Sequence, residues 1–247
     1  MSGHSKWSTI KRKKGVNDAK RGKLFAKLIR GIEVAGKNGG PDPENNASLY
    51  QAINKAKSNS VPNENIERAL KRLSGQIDSA NYTEIIYEGY GPFGVAILVE
   101  CMTDNRNRTS SDIKSTFNKY DGNTGEPGSV NYLFTRKAIF QFDNADDEII
   151  NLSIDNDCLD IDISDNLMSI EFEPNKFKEI NELFQSYEYK IINSEIAYIS
   201  SNSIMLDEKQ FITITKLIDA LEDLDDVQNV YSNFDISDKV LDSSLWK

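Results

Sequence analysis

The sequence predicts an α+β protein in which a helical amino-terminal domain is followed by two α/β sandwich domains. Three observations lead to this fold class. Apolar residues repeat with a helical period up to about residue 73, they follow strand patterns after residue 95, and the charge changes sign between the two regions. With 247 residues, 38% of them hydrophobic, the chain is long enough for two or three domains with ordinary cores.

The amino-terminal region predicts three amphipathic helices. In Lys20–Ala35 the apolar residues fall on one side at 100° per residue, and Gly39–Pro41 ends that helix. Leu49–Ala56 carries the apolar stripe of a second helix. The third begins near Pro62, a favoured first-turn residue, and stops before Gly75. Because short helices cannot each bury a stripe alone, we expect a bundle with a basic exterior.

The remainder of the chain predicts strands interleaved with helices. Val95–Val99 is a run rich in β-branched residues, and Val130–Phe134 is a second candidate strand. From Ala138 a strand, a helix, two alternating strands joined at Ser164–Asn166, a second helix and a strand near Glu195–Ile199 follow. This succession is typical of a ferredoxin-like β-α-β-β-α-β sandwich with helices on one face of an antiparallel sheet. The tail adds one more helix and one more strand.

The charge is divided unevenly along the chain. Residues 1–75 hold 16 Lys and Arg against 6 Asp and Glu, whereas the remainder holds 13 against 33. A basic lobe attracts phosphate-rich polymers and releases their counterions, while an acidic body repels them and limits which face can dock. Residues 1–19 lack apolar periodicity and predict a mobile basic arm. The alternative is that both regions are solvated surfaces kept charged for solubility.

Two segments are candidate nucleic-acid contacts. In the arm, clustered cations near Trp7 suit backbone phosphates and base stacking, although Trp7 could equally anchor the arm on the bundle. In Asp104–Thr109 two arginines precede a helix whose first N–H groups favour a phosphate. Alternatively, Asp104 and Thr109 cap that helix and the arginines serve only solubility or form surface pairs. The predicted nucleic-acid-binding residues are Lys6, Trp7, Lys11, Arg12, Lys13, Lys14, Lys20, Arg21, Lys23, Lys27, Arg30, Arg106 and Arg108.

The other motifs predict no cofactor, metal site or catalytic centre. Gly89–Gly94 matches G-x-G-x-x-G, but a strand follows it, so a tight turn between strands is predicted. The acidic stretch 155–166 lacks the glycine and the final acid of a calcium loop. His4 lies in the arm, where no scaffold fixes it as a base. Cys101 and Cys158 form no C-x-x-C and predict small buried residues of a reducing compartment.

The compartment predicted for this chain is the cytoplasm. No apolar run approaches the length of a membrane helix, and no apolar segment follows the charged start as in a signal peptide. A basic start can be a mitochondrial transit peptide, but this one contains glycines and continues into a patterned helix. The sequence indicates neither a small-molecule substrate nor an oligomeric state.

Several segments, in this order along the chain, resemble the YebC/PmpR family. They are Met1–Trp7, Asp18–Lys23, Asn65–Ala69, Tyr87–Pro92, Thr103–Thr109 and Gly125–Val130. The resemblance covers nearly the whole length and is strongest up to Lys137. It implies three domains, with the tail returning to complete the middle one. The predicted boundaries are 1–80 for the helical domain, 81–135 plus 205–247 for the middle domain, and 136–204 for the acidic third domain.

The resemblance also implies a nucleic-acid partner and no enzymatic activity. Family members are described as DNA-binding transcriptional regulators, and bacterial and mitochondrial relatives as translation factors on the ribosome. The helical lobe shows no helix-turn-helix signature, and a mobile basic arm suits a crowded RNA site recognised by shape. We therefore favour a translation factor that contacts ribosomal or transfer RNA, with a DNA-binding transcriptional regulator as the alternative. A third class is an interaction module whose acidic body binds basic proteins.

Overall fold

The computed structural model describes residues 18–74, 82–164 and 167–237. Of the helices in these ranges, none combines the length and apolar character needed to cross a membrane. The helices are α1 (Asp18–Gly39), α2 (Ala47–Ser58), α3 (Asn63–Leu73), α4 (Arg106–Lys119), α5 (Asp147–Asp155), α6 (Phe177–Ser186) and α7 (Glu208–Glu222). The strands are β1 (Thr83–Tyr90), β2 (Ala96–Thr103), β3 (Asn123–Thr124), β4 (Phe134–Asp143), β5 (Asp160–Ser164), β6 (Leu167–Phe172), β7 (Ile191–Ser200), β8 (Ile204–Leu206), β9 (Val227–Ser232) and β10 (Phe234–Ile236).

Helices α1, α2 and α3 form the predicted bundle. The apolar stripes face one another, because no short helix can bury its stripe without a partner. The two glycines after residue 38 and Pro41 end α1, as predicted, and Pro62 occupies the position before α3. The buried core of the bundle consists of Leu28, Ile32, Ala35, Leu49, Ile53, Ala56, Val61, Ile66 and Ala69.

The side chain of Asn46 joins the start of α2 to the end of α1. Its Oδ1 accepts from the N–H of Leu49 at 3.1 Å, and its Nδ2 donates to the carbonyl oxygens of Ala35 and Gly40, each at 2.8 Å. Asn46→Ala should therefore lower the free energy of unfolding by about 1 to 2 kcal/mol. Urea unfolding followed by circular dichroism measures this change. Asn45→Ala, which removes an exposed asparagine, is the matched control, and equal losses in both variants would contradict the capping role.

The middle domain is built on an antiparallel sheet with strand order β3-β1-β2-β9. Helices α4 and α7 cover one face, and their apolar side chains share a core with Val95, Ile97 and Val99. Strand β9 comes from the tail and pairs with β2, so that Val99 lies opposite Val230. Strands β8 and β10 form a small parallel pair beside this core. The return of the tail supports the predicted discontinuous domain, whose boundaries stay a prediction.

The third domain has the predicted β-α-β-β-α-β order. Its sheet runs β5-β6-β4-β7, all antiparallel, and α5 and α6 lie against the sheet's phenylalanine-rich core. The predicted turn Ser164–Asn166 falls largely on residues 165 and 166, outside the described residues, but β5 and β6 do pair across it. The α+β fold class with two α/β sandwich domains is therefore confirmed. The buried phenylalanines of the third domain's core are Phe140, Phe142, Phe172, Phe177 and Phe184.

The predicted strand Val130–Phe134 is wrong in its position. Asn131–Leu133 is a single 3-10 turn, and the strand starts at Phe134 and continues to Asp143. The reason is a buried carboxylate. Glu88 accepts from the backbone N–H groups of Val130 and Asn131, each at 2.8 Å, so these groups do not bond a neighbouring strand.

The Gly89–Gly94 motif is a tight turn between two antiparallel strands, as predicted. Tyr90 lies opposite Ala96, and a 3-10 turn over Pro92–Gly94 joins β1 to β2. The first glycine is required for close approach of the chain. A Cβ on Gly89 would lie 2.6 Å from the carbonyl oxygen of Asn123, which no side chain tolerates.

Candidate nucleic-acid interface

The predicted cations of α1 lie against an acidic turn of the middle domain. We define the acidic turn as Glu222–Asp226, the last residue of α7 and the segment that joins it to β9. Lys23 Nζ lies 3.2 Å from a carboxylate oxygen of Asp225, and Lys27 Nζ donates to the carbonyl oxygen of Glu222. Burial lowers the pKa of Lys27, and the acids of the turn oppose that effect. The basic face of α1 thus has its anionic partners within the same chain.

Arg30 makes the most extensive contact with the turn. Its Nη1 donates to the carbonyl oxygens of Met102 at 3.1 Å and Asp225 at 2.8 Å, and to a carboxylate oxygen of Asp226 at 3.2 Å. The guanidinium also lies 4.8 Å from the centre of the Tyr82 ring, within range of a cation–π interaction. Three acceptors on one nitrogen leave that nitrogen no capacity for a phosphate in this arrangement.

Asp226 is the centre of the contact, and its side chain is only 8% exposed. Besides Arg30, it accepts from Arg108 Nη2 at 2.8 Å and from the hydroxyl groups of Thr103 at 3.0 Å and Thr109 at 2.8 Å. Burial alone would raise the pKa of Asp226. The hydrogen bonds from Arg108 and the two threonines, with the charge of Arg108, outweigh burial and lower the pKa.

The two arginines at the start of α4 differ in their surroundings. Arg108 is bonded to Asp226 and, at 3.0 Å, to Asp104, and these acceptors raise the pKa of its guanidinium. Arg106 has an exposed side chain. The residue that caps α4 is Asn105, whose Oδ1 accepts from the N–H of Arg108 at 3.1 Å. Arg108 therefore matches the surface-pair alternative, and the phosphate contact of Arg106 stays a prediction.

The other predicted residues fall outside the described side chains. Lys6, Trp7 and the four cations Lys11–Lys14 precede residue 18, where the described part of the chain begins. Lys20 and Arg21 belong to α1, but their side chains are not among those described. The role of the arm in binding therefore stays a prediction.

Helices α2 and α3 present cations in different surroundings. Lys55 of α2 lies 3.2 Å from Asn229 Oδ1 and 3.9 Å from a carboxylate oxygen of Glu195, so it joins all three domains. Arg68 and Lys71 of α3 are exposed, and Arg68 pairs with Glu64 on the same helix. Basic groups that solvent can reach are thus present on α3 and at Arg106.

A groove of about 1700 Å³ lies where the three domains meet. Four Lys and Arg residues line it against six Asp and Glu residues. Burial, together with the charge of Glu100, raises the pKa of Glu84 in this groove. Because carboxylates outnumber cations there, the groove is a poor site for a phosphate-rich polymer.

Two acidic residues organise the motifs and were not singled out from the sequence. Asp226 connects α1 to α4, and Glu88 holds the loop over residues 128–131, which precedes β4. The carboxylate of Glu88 accepts from the N–H groups of Gly128 at 2.7 Å and of Val130 and Asn131. For Asp226, the run of acidic residues in the turn was a signal that the sequence offered. Glu88 lies in Tyr87–Pro92, one of the segments that carry the resemblance, but nothing in that segment indicated which groups its carboxylate binds.

The thiols and the possible metal ligands of the described residues bear on nucleophilic and metal chemistry. Burial raises the pKa of Cys101 to about 12, with Asp226 acting in the same direction, and burial also raises the pKa of Cys158. Both thiols are therefore protonated at neutral pH and are weak nucleophiles. Within the described ranges, no group of three His, Cys, Asp or Glu side chains could hold a metal ion.

The chain is a three-domain protein in which a helical domain packs on two α/β domains. Its contact with the middle domain is made through the acidic turn. The family described as TACO1/YebC protein N-terminal domain matches residues 5–76. The family described as TACO1/YebC second and third domain matches residues 82–234. The chain belongs to the YebC family.

Relatives of similar length carry a regulatory name. A probable transcriptional regulatory protein of Trichlorobacter lovleyi is 47% identical over 239 residues, covering 96% of this chain and 97% of the relative. One of Geotalea uraniireducens is 46% identical over 247 residues, covering 99% and 100%. The crystal structure of a conserved hypothetical protein from Aquifex aeolicus superposes with a TM-score of 0.80 at 40% identity, covering 92% of this chain and 95% of that one.

Proposed function

We propose that this protein is a non-enzymatic regulator of gene expression that binds ribosomal or transfer RNA on the ribosome, in the cytoplasm. The observation that carries the proposal is the separation of charge between domains. Residues 18–74 hold 11 Lys and Arg against 6 Asp and Glu, whereas residues 82–237 hold 11 against 30. A polyanion is attracted to the helical domain and repelled by the other two, so its binding is oriented.

The placement of the helices supports RNA over duplex DNA. A major-groove reader needs a helix whose side chains are free to reach base edges. The basic face of α1 lies on the acidic turn, and α2 contacts the third domain through Tyr50, whose hydroxyl group accepts from Asn181 at 3.3 Å. α3 exposes Arg68 and Lys71 but also carries Glu64 and Glu67. RNA recognised by shape and phosphate position does not require such a helix.

A DNA-binding transcriptional regulator is the alternative function. It is favoured by the names of the relatives from Trichlorobacter lovleyi and Geotalea uraniireducens, which are probable transcriptional regulatory proteins. In this case the arm and helical domain would bind promoter DNA through its phosphates.

Ultraviolet crosslinking in living cells, followed by sequencing of both attached RNA and attached DNA, tests the proposal. Ribosomal or transfer RNA that disappears when residues 1–17, which precede α1, are deleted is the expected result. Discrete promoter DNA with little RNA would contradict the RNA mechanism and support the alternative.

Replacing the four cations Lys11–Lys14 with alanine should weaken RNA binding equally on all sequences, because phosphate contacts carry no sequence information directly. If each cation neutralises one phosphate, the slope of log affinity against log salt should become shallower by about 3 on single-stranded RNA. Fluorescence anisotropy at several salt concentrations measures this slope.

The matched control replaces four exposed lysines of the middle domain, and it should leave the slope nearly unchanged. Equal changes in the two variants would show that the arm has no special role. The control positions are Lys114, Lys119, Lys209 and Lys216.

A further inference from the structure

The contact between α1 and the acidic turn uses the groups that the proposed function assigns to nucleic acid. Lys23, Lys27 and Arg30 each bond an oxygen of the turn or lie within ion-pair distance of one. These oxygens belong to carboxylates and carbonyl groups, which satisfy the same donors that a phosphate would satisfy. A phosphate cannot reach Arg30 Nη1 while the turn is in place.

We propose that the acidic turn competes with nucleic acid for the basic face of α1, so that the helical domain must separate from the turn for that face to bind phosphate. This inference rests on the proposed function and adds to it a way in which nucleic-acid binding is regulated. In the free protein the turn covers the site. In the bound protein the phosphates of the nucleic acid replace the turn.

The geometry of Asp226 makes this separation reversible. When α1 leaves, Asp226 keeps its bonds to Arg108, Thr103 and Thr109, all of which belong to the middle domain. The carboxylate therefore does not become an unpaired buried charge, which would be the main obstacle to opening. Arg30, in turn, exchanges its two carbonyl acceptors and one carboxylate acceptor for the oxygens of a phosphate.

The edge of the contact is open to an incoming polyanion. The side chains of Lys23 and Asp225 are 59% and 73% exposed, so salt screens this pair and a competing anion can replace it. A pocket of about 550 Å³ beside the contact is lined by three cations, Lys23, Arg30 and Arg108, and by five aspartates, three of which belong to the turn. The pair between Arg30 and Asp226 is shielded, and opening must break it together with the contacts of Lys55 with Asn229 and Glu195.

A variant with a neutral turn tests the competition. Glu222→Gln/Asp223→Asn/Asp225→Asn removes three charges and leaves Asp226 and its bonds in place. We expect this variant to bind a short fluorescein-labelled single-stranded RNA about tenfold more tightly than the unmodified protein at low salt, because the pair of Lys23 with Asp225 and the attraction of Lys27 to the three carboxylates are lost.

The control Glu173→Gln/Glu179→Gln/Glu182→Gln removes three exposed charges from the third domain. It should strengthen binding only about twofold, through the change in net charge at long range. Equal affinity gains in the two variants would overturn the competition. Failure of every variant and of the unmodified protein to bind RNA would overturn the proposed function together with this inference.

A distance measurement separates true opening from simple repulsion by the turn. Donor and acceptor dyes on Asn63→Cys in α3 and Asn118→Cys in α4, with Cys158→Ser to remove a partly exposed thiol, report the separation of the helical and middle domains. Addition of the unlabelled RNA should lower the energy transfer, and the neutral turn should lower it without RNA. Unchanged transfer on RNA binding would overturn the inference.

Discussion

Asp226→Asn should lower the free energy of unfolding by about 2 to 4 kcal/mol, because it removes a shielded carboxylate that pairs with the largely buried Arg30 and the half-exposed Arg108. Asp226 receives Arg30 from the helical domain and Arg108 from α4, and its side chain is 8% exposed. The substitution preserves size and shape. The loss is therefore electrostatic and is not caused by a cavity.

Asp225→Asn is the matched control for this prediction. Asp225 is the adjacent residue and also pairs with a cation of α1, but its side chain is 73% exposed. An exposed pair contributes only about 0 to 1 kcal/mol. Urea unfolding of both variants, followed by circular dichroism, should separate their midpoints clearly. Overlapping unfolding curves would contradict the central role assigned to Asp226.

Glu88→Gln should lower the free energy of unfolding by about 2 to 3 kcal/mol, because three backbone N–H groups lose their charged acceptor. Burial alone would raise the pKa of Glu88. The bonds from Gly128, Val130 and Asn131 outweigh burial, and the pKa lies below its ordinary value. One amide oxygen cannot replace two carboxylate oxygens that together accept three hydrogen bonds.

The same lowered pKa values predict how stability depends on pH. Glu88 and Asp226 both have folded-state pKa values below their ordinary values, so each stabilises the fold above the unfolded pKa of about 4. That stabilisation is lost as the pH falls from about 5 through the folded-state pKa values. Glu88→Gln should therefore flatten the acid side of the stability profile measured by urea unfolding.

Glu84→Gln provides a control on the same strand with the opposite sign. Burial, together with the nearby charge of Glu100, raises the pKa of Glu84, so its ionised form is disfavoured in the folded state. Neutralising it should not destabilise the protein at neutral pH. A loss as large as that of Glu88→Gln would show that general charge, and not the hydrogen bonds of Glu88, controls stability.

Local patterns were sufficient for most of the helices and strands. In the bundle, helical spacing of apolar residues and the glycine and proline stops are properties of adjacent residues, and they predicted α1, α2 and α3. Alternation predicted β5 and β6 in the same way. The strand proposed at Val130–Phe134 was displaced because Glu88, more than 40 residues earlier in the chain, takes its N–H groups.

The predicted nucleic-acid-binding residues fall into two groups, those that pair with acids of the same chain and those that do not, and distant residues decide this as well. Charge and residue type indicated Lys23, Lys27, Arg30, Arg106 and Arg108 as candidates for phosphate. Four of these five lie against acids of the same chain. A sequence shows that a side chain is cationic, but the partner of that cation depends on which anion is brought within a few ångströms.

By itself, the sequence determined the fold class, the basic character of the helical domain and the acidic character of the other two. These properties follow from the spacing of apolar residues and from the charge of residues adjacent in sequence, and neither depends on contacts made in the folded protein. Only the tertiary structure decided that β9 joins the sheet beside β2, and that Asp226 reaches Arg30 across 196 positions of the chain. Such contacts depend on how whole domains pack, because electrostatic attraction and hydrogen bonding act only between groups that packing has already brought together.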